Sequence, residues 1–466
     1  MPQVSERPKP FLFPEFCKGC GRCIEACPKH CITLSTEINP ATGLTPVLID
    51  LEGCNGCGLC ISACPEPYGL AATPAGADYE LKDPAALFGA RAVGTAQAEA
   101  IPDTGIALAP AEPLVIKGTY ASAVGALLAG CRHFFGYPIT PSTEGAELMA
   151  KILPKLDGVF VQAVSETAAV NMMYGCSGAG LRCMTFTSSP GFSLMLEGIS
   201  YMIGAELPGV FVNVMRGGPG LGNIGPEQAD IKLACRGLGH GNTHAIVLAP
   251  STPQEMLDLT MLAFELSFAY RNPVVILGDG YLGQMTGKVD LPGRFVKPGR
   301  PSWAVWGDAA HRRNLVCSIF LSEPDLEAHN ERLNAKYLEM SRREQRADAF
   351  LCDDADVVLI ACNTPARMAK GAVAELRARG VRAGLFRPVT LWPFPIDLLR
   401  PIADHARRFV VVEASAGQLE DELRLAMSHG KVGQGIVIDA VRRMGGVLPG
   451  QREIVERVEA LEGAAS

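Results

Sequence analysis

From about residue 113 onward, short apolar runs alternate with amphipathic stretches of helical length. Runs at 134–136, 159–161, 184–186, 210–215, 245–248 and 274–277 read as strands, and segments 144–152, 166–176, 192–204, 227–236 and 253–270 as the helices between them. Strands and helices alternating in this way predict a mostly parallel sheet covered on both faces. Thr252-Pro253-Gln254-Glu255 supplies one sharp boundary: an N-cap, a proline at the first helical position and a capping-box glutamate. A loop-rich stretch, 287–312, and a charged helical segment, 323–346, with few core positions read as an arm over the surface. The alternation then resumes, with strands at 357–361, 381–386 and 409–412, a helix opened by Thr364-Pro365 and closed by Gly380, and another at 418–427. This makes a second, smaller α/β domain.

Upstream the pattern breaks. Residues 71–113 are rich in alanine, proline and glycine and read as a linker with one short helix at 84–93. Before it, 31–34 and 45–49 form a predicted hairpin around Asn39-Pro40-Ala41-Thr42-Gly43. The expected domains are therefore 1–76, a linker 77–112, an α/β domain 113–290, an arm 291–347 and a second α/β domain 348–466.

Composition sharpens this picture at one end. Of 16 cysteines in 466 residues, nine fall before residue 65. Eight of them make Cys17-x2-Cys20-x2-Cys23-x3-Cys27-Pro28 and Cys54-x2-Cys57-x2-Cys60-x3-Cys64-Pro65, the bacterial ferredoxin pattern written twice. In that pattern three closely spaced thiolates wrap one cubane and the fourth ligates the other. Cys17, Cys20, Cys23 and Cys64 are thus expected on one 4Fe-4S cluster, and Cys54, Cys57, Cys60 and Cys27 on a second. A zinc site would leave the third close cysteine and the Cys-Pro without a role. So small a domain cannot bury enough apolar surface alone, which makes the clusters part of its folding energy. Cys31, the ninth thiol, reads as a small buried hydrophobe. Thiolates kept on iron need a reducing compartment, the start of the chain is polar, and no apolar run reaches bilayer length, so the cytoplasm is expected. A net charge of -7 argues against a nucleic-acid surface.

Gly136-Tyr137-Pro138-Ile139-Thr140-Pro141-Ser142-Thr143, Val164-Ser165-Glu166-Thr167-Ala168-Ala169 and Thr187-Ser188-Ser189-Pro190-Gly191-Phe192-Ser193 resemble the α subunit of 2-oxoacid:ferredoxin oxidoreductases, which are thiamine diphosphate enzymes. The resemblance continues through Met215-Arg216-Gly217-Gly218-Pro219-Gly220-Leu221-Gly222-Asn223 and Arg387-Pro388-Val389-Thr390-Leu391-Trp392-Pro393. It spans 115–431, and its wording is nearest the branched-chain (3-methyl-2-oxobutanoate) type. It implies a doubly wound thiamine-diphosphate-type sheet domain, then a transketolase-C-terminal-like α/β domain, preceded by a small α+β ferredoxin domain.

By the same resemblance Glu166 hydrogen-bonds the cofactor's pyrimidine ring, with Tyr137 and Pro138 beside it, and Thr140 and Arg216 hold the substrate carboxylate. Read without the family, Glu166 is a first-turn residue satisfying a helix dipole, Arg216 a strand-end charge and Thr140 a turn residue. The implied reaction is CoA-dependent oxidative decarboxylation of a 2-oxoacid, with electrons leaving one at a time through the clusters to ferredoxin or another acceptor. Relatives acting on 2-oxoglutarate or an aryl 2-oxoacid, and a non-catalytic electron-transfer scaffold, are the alternatives. Gly220-Leu221-Gly222-Asn223-Ile224-Gly225 fits a dinucleotide fingerprint, but no acidic residue follows at the required distance. Gly278-Asp279-Gly280 resembles the start of a metal-diphosphate motif without its asparagine pair. The Mg2+-diphosphate half of the site is therefore expected from a β subunit, and a γ subunit or domain is absent from this chain too. His240 and His244 read as loop residues, not metal ligands.

Overall fold

The computed structural model describes residues 9–39, 42–66, 69–73, 98–308, 310–311 and 314–463. The helix expected at 84–93 lies outside these. The chain divides into two compact units, residues 1–94 with 320–328, and residues 95–319 with 329–466.

The first unit is a small α+β fold. Lys9–Leu12 pairs antiparallel with Leu70–Thr73, and the expected hairpin forms between Ile32–Leu34 and Val47–Ile49. Two short helices, Arg22–Glu25 and Leu59–Ala63, occupy matching places in the two cysteine runs. Each is entered through a glycine, Gly21 at φ 77° and Gly58 at φ 76°, which turns the chain left-handed between the second and third cysteines. The apolar core holds only Ile32, Val47 and Leu70 as buried aliphatics, and the thiols of Cys23, Cys27, Cys31 and Cys60 complete it. Without a prosthetic group this core is too small to hold a fold together.

In the second unit, seven strands make the larger sheet. Their order is Thr390–Trp392, Ile246–Leu248, Pro273–Asp279, Gly209–Met215, Cys183–Thr187, His133–Gly136 and Val159–Gln162. All neighbours are parallel except the first pair. Gly209–Met215 and Pro273–Asp279 are buried along their whole length, which is why they read as unbroken apolar runs. Helices Gly118–Leu128, Thr143–Ile152, Glu166–Gly178, Ser189–Gly204 and Pro253–Tyr270 accompany these strands. The first packs so closely on the last that a Cβ at Gly125 would come within 2.5 Å of the Leu257 carbonyl oxygen. The smaller sheet runs Ala347–Phe350, Ala383–Pro388, Val357–Ile360, Arg408–Glu413, Val437–Arg442, with only the first strand antiparallel.

Several expectations need correction. The helix read at 227–236 is only Ile231–Arg236; ahead of it the Gln228 N–H donates to the Ala414 carbonyl at 2.7 Å, and the Gln228 side chain accepts the Ala414 N–H at 2.8 Å. The stretches read as linker and loop are joined by a ribbon, Thr104–Ala107 with Arg294–Lys297, and the start of the loop makes a second one, Thr286–Val289, with Leu114–Lys117 of the larger α/β domain. Helix Gly118–Leu128 had no amphipathic signal to find, since most of its faces are buried. Thr390–Trp392, inside the segment assigned to the second domain, crosses to the larger sheet and pairs with Ile246–Leu248. At the expected capping box, Thr252 Oγ1 accepts the Glu255 N–H at 3.1 Å, but the Glu255 carboxylate takes the Ser251 N–H at 2.7 Å rather than that of Thr252. The charged arm is the helix Glu323–Arg343, whose buried stripe is His329, Leu333, Tyr337 and Met340. Tyr337 packs edge-on against His244, and His244 stacks on Trp392 at 4.6 Å. His244 is thus an aromatic core residue.

Candidate functional site

Parallel strands deliver their carboxyl ends to one edge of a sheet, where ligands bind in open α/β folds. Here His133–Gly136 leads into the loop from Tyr137 to Ser142, Cys183–Thr187 into Ser188, and Gly209–Met215 into Arg216. Glu166 opens the helix that follows Val159–Gln162.

Ser165 caps that helix, its hydroxyl accepting the Ala168 N–H at 3.2 Å, so the Glu166 side chain is free to turn inward, where it is 4% exposed. It lies against Gly191: a Cβ there would sit 2.5 Å from Glu166 Oε1 and 2.4 Å from Thr187 Oγ1, so only glycine leaves room. The hydroxyls of Thr187 and Ser188 are buried and unpartnered. The Glu166 carboxylate and the Thr187 hydroxyl thus meet at Gly191, and the unpartnered hydroxyls leave hydrogen-bonding capacity unused. The ring nitrogens of a pyrimidine such as that of thiamine diphosphate match that chemistry.

Arg216 is fixed from three sides. Its Nη1 donates to the Thr140 carbonyl at 2.7 Å and its Nη2 to the Leu221 carbonyl at 3.1 Å, while Nε is buried without a partner. Its main-chain N–H donates to Ser189 Oγ at 3.1 Å, and that hydroxyl donates to Asp230 at 2.6 Å, where Asn213 Nδ2 also donates at 2.9 Å. Burial pushes the Asp230 carboxyl up, against the opposing pull of those two bonds. Thr140 and Arg216 therefore meet through the Thr140 main chain, and the Thr140 side chain stays exposed. The loop is braced by Gln284, which donates to the Pro141 carbonyl at 3.0 Å and to Glu144 at 2.8 Å, and by Lys117, which donates to Glu144 and Gln284. Burial would raise the Glu144 carboxyl, but the bonds from Gln284 and Lys117 hold it below its usual range.

Tyr137 and Pro138 line a different cleft of about 300 Å³, with Thr143, Glu147 and Gln162, to which neither Glu166 nor Arg216 contributes. The bracing residues Lys117, Glu144 and Gln284 had no motif to announce them. Asn213, an amide inside an apolar strand, did carry a signal in the sequence.

Asp279 is fully buried. Its Oδ1 accepts from the N–H groups of Tyr281 and Leu282 and from the Thr364 hydroxyl, and its Oδ2 accepts the Thr364 N–H at 2.8 Å. With both oxygens engaged by the protein and none of the side chain exposed, it presents no face to a metal, and burial pushes its carboxyl up. These residues do not fit a Mg2+-diphosphate site. The glycine-rich segment 220–225 folds back as a loop, with the Asn223 N–H on the Gly217 carbonyl, and opens no helix at which a dinucleotide would dock.

In the first unit Cys17, Cys20, Cys23 and Cys64 line one cavity together with Leu12, Val47 and Leu70. Among the described residues no three His, Cys, Asp or Glu side chains close on the position of a single ion. Thiols spread around a cavity suit a cubane better than one zinc. Burial, and then the neighbouring Cys17, push the Cys23 thiol up to about 11. Cys60 is raised by burial, with Cys54 and Cys57 adding to it. Cys27 and Cys31 lie with their sulfurs 3.4 Å apart.

Three family models match the chain. The 4Fe-4S dicluster domain matches residues 16–67, the thiamine diphosphate-binding domain of pyruvate flavodoxin/ferredoxin oxidoreductase matches 124–331, and core domain II of pyruvate:ferredoxin oxidoreductase matches 355–454. The chain belongs to the 2-oxoacid:ferredoxin oxidoreductase family. Within it, the chain is 48% identical over 354 residues to ketoisovalerate oxidoreductase subunit VorB of Methanothermobacter thermautotrophicus, covering 76% of this chain and 99% of that one. It is 36% identical to 2-oxoglutarate synthase subunit KorA of the same organism, over 74% of this chain and 98% of the other. Among solved structures it resembles the 2-oxoglutarate:ferredoxin oxidoreductase from Magnetococcus marinus, with a TM-score of 0.67 and 26% identity, covering 75% of this chain and 65% of that chain. Among the described residues no helix is long and apolar enough to cross a membrane.

Proposed function

We propose that this chain is the pyrimidine-binding α subunit of a cytoplasmic, hetero-oligomeric 2-oxoacid:ferredoxin oxidoreductase whose substrate is a branched-chain 2-oxoacid, oxidised to acyl-CoA and CO2. The observation that carries the enzymatic reading is the buried Glu166 carboxylate beside the orphaned hydroxyl of Thr187 at Gly191. Thiamine diphosphate, when bound, supplies the carbon nucleophile and the electron sink for decarboxylation. Glu166 holds a proton at the pyrimidine and orients the ring. Arg216, already committed to the Thr140 carbonyl through one edge, offers charge to the substrate carboxylate and keeps the loop beside it in place.

Cys17, Cys20, Cys23 and Cys64 would hold one 4Fe-4S cluster and Cys54, Cys57, Cys60 and Cys27 the other, which would supply one-electron acceptors for the reaction. A β subunit completes the site with Mg2+ and the diphosphate pocket, a γ subunit or domain completes the assembly, and ferredoxin or another acceptor takes the electrons. The similarity to a ketoisovalerate oxidoreductase subunit favours the branched-chain substrate over 2-oxoglutarate or an aryl 2-oxoacid. The test is the native complex, assayed anaerobically with a viologen acceptor and CoA against a panel of 2-oxoacids. The highest kcat/KM is expected for 3-methyl-2-oxobutanoate. A preference for 2-oxoglutarate would overturn the substrate, and no turnover with any 2-oxoacid would favour the scaffold.

A further inference from the structure

Eight thiols fill two sets of four ligands, and the first unit carries a ninth inside the same core. Cys31 is 8% exposed, and its sulfur sits 3.4 Å from that of Cys27. Its place is fixed: its carbonyl accepts the Asp50 N–H at 2.8 Å, and a Cβ at Gly53 would lie only 3.6 Å from its own Cβ. The thiol therefore packs between the Cys27 end of one cysteine run and the chain leading into the other, at Cys54. Four residues after Cys64, the matching place in the second run, stands Tyr68. The ninth thiol therefore has no counterpart in the second run.

We propose that Cys31 is a positioning residue for the cluster held by Cys27, Cys54, Cys57 and Cys60, its S–H donating to the Cys27 sulfur and making that cluster easier to reduce than it would be without the thiol. This rests on the two-cluster reading above. A thiolate bound to iron has no proton to give, so the bond has one direction, from Cys31 to Cys27. One-electron reduction adds negative charge to the cluster and its sulfurs, and a donor aimed at a ligand sulfur stabilises that state more than the oxidised one.

The test is redox titration of the full chain, purified anaerobically, with each cluster followed by electron paramagnetic resonance and iron measured in parallel. Cys31→Ala is expected to keep the iron of the wild type and lower the midpoint of one cluster alone, reducing its reduced-to-oxidised ratio at a fixed potential about fivefold, the size of one net hydrogen bond. Cys31→Ser, which restores a donor, is expected to recover part of the shift. Unchanged midpoints in Cys31→Ala, equal movement of both clusters, or loss of half the iron would each overturn the proposal, the last by making Cys31 a ligand. A wild-type chain with fewer than about eight irons would remove the two-cluster reading itself.

Discussion

Asp279 accepts both the main-chain N–H and the hydroxyl of Thr364, each at 2.8 Å, tying the end of the larger sheet's Pro273–Asp279 strand to the first turn of the helix Asn363–Ala378. Thr364→Val keeps the shape and deletes one donor to a buried carboxylate. It is expected to lower unfolding stability by about 1.5–3 kcal/mol, the range for a hydrogen bond to a charged group. Urea midpoints of the two proteins, at unchanged slope, measure it, and identical midpoints would mean that the hydroxyl contributes nothing at this junction.

The same burial bears on cofactor binding. With Asp279 enclosed and engaged by the protein rather than open to Mg2+, the isolated chain is expected to bind thiamine diphosphate weakly even with Mg2+ present, and tightly only with its partner subunit. Titration calorimetry distinguishes the cases. Tight, stoichiometric binding by the chain alone would place a diphosphate site within it after all.

Glu166→Gln preserves shape but cannot share a proton in the same way. In the assembled complex it is expected to cost about a hundredfold or more in turnover, with iron content unchanged. Arg216→Lys replaces a fork that reaches two carbonyls, Thr140 and Leu221, with a single point charge. Its effect is expected mainly as a rise in KM for the 2-oxoacid of about tenfold or more. Near wild-type turnover in Glu166→Gln would move the chemistry elsewhere.

Glu144 carries a pH signature. Its carboxyl lies below the usual value of 4.5 in the folded protein, so its contribution is present above that pH and is lost as pH falls through the lower folded value. Glu144→Gln is expected to flatten the loss of stability on acidification below about pH 4.5. Thermal midpoints from pH 6 down to pH 3 would reveal it, and parallel curves for the two proteins would exclude the linkage.

What could be read in advance follows from how far apart the interacting groups lie along the chain. The cysteine runs are local patterns, and so are the apolar strands of the larger sheet, each marked by its own short run, although their order in the sheet is not their order in the chain. Thr104–Ala107 pairs with Arg294–Lys297, nearly two hundred positions later, and every one of its four residues is exposed, so no hydrophobic alternation marked it. Gln228 sits in a plausible helix by periodicity, yet its main chain and side chain bond Ala414, a partner that periodicity does not contain. At the candidate site, the motifs located Glu166 and Arg216, but the braces Lys117 and Gln284 come from either end of the domain. Tyr137 and Pro138 were carried by their place in a motif, and the structure turns them toward a separate cleft.

The crossing of Thr390–Trp392 into the larger sheet makes the two α/β lobes a poor subject for dissection. A cut in the arm before residue 347 would strip Ile246–Leu248 of its outer neighbour and leave a raw hydrogen-bonding edge, the kind that recruits stray strands and aggregates. The excised C-terminal piece would meanwhile carry Leu391, fully buried in the intact chain, into water. Gene fission along that seam is therefore self-defeating, and any shuffling of this chain with other modules has to carry both lobes together as one inheritance.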